Sequence, residues 1–148
     1  MNRFSRCFLA CAIVLAQPAA AAGDLTRQEP VVVEILVGNE KNEHRFKPDV
    51  INLETGKLYV LRLSNPSTND YYFNPDDFAD AIFTRKVAVA GKDGKHLTEV
   101  YGSIRRVEVK AGGSLEWWLV PLRTGVFRNV HSTRAHSDAG MRATIEVK

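Results

Sequence analysis

Roughly seven short runs in this chain alternate apolar with other residues at a period of two, and turns rich in Gly or Pro separate them. Val31, Val33, Ile35 and Val37 fall on one side of the first run. The spacing makes a single face only if the backbone is extended. Val50 to Leu53 follows Pro48, and Leu58 to Leu63 follows the turn Glu54-Thr55-Gly56-Lys57. Ile104 to Lys110, Leu115 to Val120 and Gly125 to His131 repeat the pattern, with turns at Ala111-Gly112-Gly113 and Pro121 to Thr124. The last run sets Met141, Ala143, Ile145 and Val147 against Arg142, Thr144, Glu146 and Lys148. No stretch has the longer periodicity of an extended helix. The expectation is an all-β, antiparallel Greek-key β-sandwich.

One short helical insertion is expected in the middle. Asn74 suits an N-cap, Pro75 the first turn, and Asp76 and Asp77 the positive end of a helix dipole. Phe78 and Ile82, four apart, would then pack on the sandwich. Gly91 to Lys95 reads as an exposed turn, with His96 in solvent beyond it. Trp117 and Trp118 are neighbours on a strand, so they point to opposite faces. No repeat or low-complexity tract breaks the sequence.

The first residues have a different character. Arg3 and Arg6 precede an apolar stretch from Phe8 to Ala16 and a small-residue region ending at Ala21 or Ala22. Such a run is short for a bilayer span and fits a cleaved secretory signal, residues 1–22. The remainder, residues 23–148, is read as one domain, with no membrane span in the mature chain. Without the signal, Lys plus Arg falls from 20 to 18 against 17 Asp plus Glu, and net charge drops from +3 to +1. That balance gives no reason to expect nucleic acid as a partner. Both cysteines, Cys7 and Cys11, lie in the signal, so the mature chain has neither thiol nor disulfide. Export without disulfides points to a periplasmic location.

The segment His131 to Met141 carries the chemistry. It spaces His131, His136 and Met141 at five-residue intervals on what reads as a loop feeding the last strand. Nitrogen and thioether donors suit copper better than any hard cation. Arg105, Arg106, Arg123, Arg128, Arg134 and Arg142 lie near this segment in sequence, and a shared surface would steer another, acidic periplasmic protein. No nucleophile with an evident base and no phosphate-cradling loop is present, so the chain is not expected to be an enzyme.

The order of these features resembles the cupredoxins, the blue-copper β-sandwich family, from about Val31 to Lys148. Phe46-Lys47-Pro48, the following strand and Gly56 are similar to the family's opening strands. Tyr71-Tyr72-Phe73 falls where members carry a His-x-Phe ligand segment, and His136-Ser137-Asp138-Ala139-Gly140-Met141 is similar to the H-x-x-x-G-M ending. The resemblance implies His136 and Met141 as retained ligands. It places His131 where members have cysteine and Tyr71, or Tyr72, where they have the first histidine. A site without thiolate cannot be a blue-copper centre.

Two functions follow as expectations. The first is a periplasmic protein that holds or delivers copper, Cu+ or Cu2+, through His131, His136 and Met141. Its fourth position is taken by Tyr71, Tyr72, His44 or water. A phenol with a pKa of about 10 is a poor donor near neutral pH and ranks below His44 or solvent. The second is a metal-free cupredoxin-like accessory module that uses Tyr71, Tyr72 and Phe73 as an aromatic contact surface.

Overall fold

Valine and isoleucine recur at alternate positions, and the backbone takes up the strands that this spacing favours. The structure, a computed structural model, describes residues 27–91 and 93–148, so the export segment 1–22 lies outside the described residues. Its strands are β1 (Val31–Val37), β2 (Phe46–Lys47), β3 (Val50–Leu53), β4 (Tyr59–Ser64), β5 (Tyr71–Phe73), β6 (Ile82–Ala90), β7 (His96–Val100), β8 (Val107–Val109), β9 (Ser114–Pro121), β10 (Gly125–His131) and β11 (Arg142–Val147). A 3-10 helix covers Asp76–Ala81, and one short α-helix, α1, covers Arg134–Asp138.

One layer of the sandwich is a six-stranded sheet in the order β2-β1-β4-β9-β6-β7. The other combines β10-β11-β3 with the pair β5-β8. Reciprocal backbone bonds between Asn74 and His131, 2.9 and 3.0 Å, join those two parts. Ile35, Leu61, Trp117 and Leu119 from the first layer meet Ile51, Tyr71, Phe73, Val130 and Ile145 from the second in one buried cluster. The sandwich is therefore as expected, but its pairing is mixed. β1 runs parallel to β4, and β3 parallel to β11. The chain crosses to the second layer at β3 before β4 returns beside β1, which makes those neighbours parallel.

Four strands were missed by periodicity, and two of them, β2 and β5, are only two and three residues long, too short to show a period. In β6 the register against β9 shifts between Thr84 and Lys86, which breaks the alternation partway along. All five residues of β7 are exposed on the edge of the sheet, so it shows no apolar face to detect. The central helix is a tight 3-10 turn with Pro75 at its start and no side-chain cap. Asn74 instead pairs its backbone with His131, and its Oδ1 accepts from the Asp76 N–H at 3.2 Å. Phe78 is buried as expected, and Ile82, although it opens β6, packs partly buried against the same core.

The outer face of the larger sheet carries a charged network around His96, which is exposed as expected. His96 Nδ1 lies 3.0 Å from Glu99 and its Nε2 3.1 Å from Glu116. Lys86 donates to Glu99 at 2.6 Å, and the Tyr101 hydroxyl donates to the other Glu99 oxygen. These donors, Lys86 foremost, hold the Glu99 carboxyl down at about 2. Unfolding frees it to bind a proton at an ordinary carboxylate value. The network's contribution is complete above about pH 4.5 and is lost as pH falls toward about 2. Urea midpoints measured across that window should fall less steeply in Glu99→Gln than in the unmodified protein. Equal slopes would remove Glu99 from the account.

Candidate functional site

Three side chains from distant parts of the chain meet at one place: His44, Tyr71 and His136. His44 hangs from the connection between β1 and β2. The Gly38 N–H bonds Arg45 O at 2.8 Å to close this loop, and Asn39 Oδ1 accepts from the backbone of Lys41 and Glu43 at 3.0 Å each. Asn42 Oδ1 anchors the same loop to the Thr68 N–H at 2.9 Å. Tyr71 opens β5, and its ring faces inward and is wholly buried. His136 stands on α1, where its own N–H bonds the capping Thr133 hydroxyl at 3.2 Å. The segment expected to be a loop thus contains a helical turn, for which Thr133 as a cap followed by Arg134 and Ala135 is the local signal.

The His44 and His136 rings stack with centroids 4.7 Å apart and planes 19° apart. Tyr71 presents its edge to both, at 5.7 Å from His44 and 5.0 Å from His136. The Tyr71 hydroxyl lies 3.1 Å from His44 Nδ1 and accepts from Asn69 Nδ2 at 3.4 Å. His136 Nδ1 lies 3.2 Å from the Ser132 hydroxyl. Among the described residues no hydrogen bond reaches Nε2 of either imidazole. Burial lowers the His136 pKa, and the neighbouring His44 lowers it further, so the ring keeps its neutral, ligand-competent form to lower pH.

His131 is placed differently from the expectation that grouped it with His136. It pairs across the sheet with exposed Arg142, while Val130 pairs with buried Ala143. Its side chain therefore leaves from the outer face. There its Nδ1–H donates to Asn129 O at 2.9 Å, and its Nε2 accepts from Asn74 Nδ2 at 2.9 Å. The Asn74 amide is oriented by its bond to the Asp76 N–H. Both ring nitrogens are thus committed to the protein. Met141 is fully buried in the core, and its N–H bonds His136 O at 2.9 Å. Tyr72 is half-buried with the Arg106 guanidinium 5.4 Å from its ring centre. Tyr71 and Phe73 are fully buried, so the three aromatics do not form one exposed contact surface.

The donors that meet fit copper in kind: two imidazoles and a phenol. Among the described residues no three His, Cys, Asp or Glu side chains gather as a ligand cluster. The present ring orientation is a stack. In-plane lone pairs of nearly parallel rings do not meet at one point beside them, so joint coordination requires one ring to turn. His44, carried on a loop, is the one placed to do so.

No model of a protein family matches the chain, and no curated protein sequence is similar to it. Solved structures are similar in fold. A multicopper oxidase from Campylobacter jejuni, described as a metallo-oxidase, superposes with a TM-score of 0.59 at 16% identity, over 97% of this chain and 34% of its own. This chain thus spans about a third of that oxidase. A copper nitrite reductase from Nitrosomonas europaea gives a TM-score of 0.55 at 14% identity, over 88% of this chain and 52% of its own. Auracyanin A of Chloroflexus aurantiacus, a "blue" copper protein, gives 0.50 at 13% identity, over 81% of this chain and all of its own. The fold is cupredoxin-like.

Proposed function

We propose that this protein binds copper at a thiolate-free site formed by His44 and His136, and that it holds or delivers the ion in the periplasm rather than catalysing a reaction. The observation that carries the reading is the stacked pair itself. Two imidazoles from the β1–β2 loop and from α1 lie 4.7 Å apart, each with Nδ1 engaged and Nε2 free of any partner among the described residues. Imidazole serves both copper states, and thioether favours the cuprous one. A centre of neutral donors, with no thiolate to hold the cupric ion, suits reversible binding of copper as cargo. Export rests on the pattern of residues 1–22; no helix among the described residues is long and apolar enough to cross a membrane.

Competition titrations with cuprous and cupric ions test this. His44→Ala and His136→Ala should each weaken binding by roughly tenfold or more, about 1.4 kcal/mol per tenfold. His131→Ala should change it little, because its ring nitrogens serve Asn74 and Asn129. Binding that is weak and indifferent to both His44 and His136 would end the proposal.

A second reading is favoured by the stack. Rings only 19° apart, with their Nδ1 atoms already hydrogen-bonded, also form a self-sufficient polar plug between loop and helix. On this reading the protein is a metal-free accessory module, and the titrations return no specific copper binding.

A further inference from the structure

We infer that Ser132 is the positioning residue of this site, holding the His136 ring so that its Nε2 is the nitrogen left for a ligand. Alternation along β10 carries the argument. Val130 faces the core and His131 the outer face, so the next position turns inward again. Ser132 occupies it, buried at 4% exposure. Its hydroxyl accepts the Tyr72 N–H at 3.0 Å and meets His136 Nδ1 at 3.2 Å. One buried oxygen thus ties the strand that bears Tyr71 to the helix that bears His136. The hydroxyl has a proton and a second lone pair left after accepting from Tyr72, so it can engage Nδ1 in either tautomer. With the proton on Nδ1 and donated to the hydroxyl, Nε2 holds the ring's one free lone pair. The Tyr71 hydroxyl treats His44 in the same way, leaving the same atom free. His131, one residue earlier, secures the outer side of the seam, its two ring nitrogens bonded to Asn74 and Asn129.

The consequence for affinity rests on the copper reading; the hydrogen bond does not, and the experiment separates them. Long-range 1H–15N spectra of the metal-free, 15N-labelled protein report the ring nitrogens directly. Ser132→Ala should shift His136 Nδ1 and leave the His131 ring unchanged, while His131→Gln should leave His136 where it was. An unmoved His136 in Ser132→Ala, or an equal shift in His131→Gln, would overturn the assignment. Ser132→Cys, similar in volume with a weaker hydrogen bond, serves if the alanine variant does not fold. With cuprous ion as the probe, Ser132→Ala should bind about tenfold to a hundredfold more weakly; unchanged affinity in a protein that does bind copper would overturn the positioning role. If the ring nitrogens respond as expected and the unmodified protein takes no copper, the Ser132 assignment stands and the copper reading alone falls.

Discussion

Gly38→Ala should destabilise the protein by about 2–5 kcal/mol and separate His44 from Tyr71. Gly38 sits at φ +83°, where an L side chain costs about 1–2 kcal/mol. A Cβ there would also strike Tyr71 Cε2, with Tyr71 Cδ2 at 3.1 Å and Ser67 Cβ at 3.3 Å behind it. The tyrosine is wholly buried and cannot swing into solvent, so the chain around it must move. That movement reaches the site, because the Gly38 N–H closes the loop that carries His44. Chemical denaturation gives the loss, and the His44 ring nitrogens give the broken contact. A variant within about 0.5 kcal/mol of the parent, with His44 unchanged, would show that the close approach of Gly38 to Tyr71 is not required.

Trp117→Ala is the second large effect, a loss of about 3–5 kcal/mol. Trp117 has no exposed surface, sets its ring edge-on to Phe73 at 6.3 Å, and donates from Nε1 to the buried Thr84 hydroxyl at 3.1 Å. Removing it opens a cavity between the two layers and takes away the Thr84 hydroxyl's donor. The neighbouring Trp118 gives the control. It lies on the other face under Lys86, whose Nζ is 4.9 Å from the ring, and its Nε1 donates to Glu116. Trp118→Ala should cost about 1 kcal/mol, the scale of an exposed cation–π contact and one hydrogen bond. Denaturation midpoints that fell equally in the two variants would contradict this division between core and surface.

That division was legible in the sequence, since adjacent residues on a strand must point apart. So were β10, with the bounds Gly125–His131, and the inward face of β11. The same rule, carried two residues further, puts His131 opposite Val130 and returns Ser132 to the core side. Even spacing of His131, His136 and Met141 pointed instead to a shared loop, because spacing along a chain is not convergence in space. β7 escaped notice for another reason: an exposed edge strand buries nothing, so no apolar period marks it.

His44 was a candidate from the sequence, but its place beside His136 was not readable there. The loop path set by Gly38, Asn39 and Asn42 brings it over, and Tyr71 holds it. By itself the sequence determined what backbone geometry enforces locally: extended runs, their turns, and which residues share a face. Only the tertiary structure decided which imidazoles meet, because contact between residues far apart in the chain depends on how two sheets and a loop pack, and no local period encodes that.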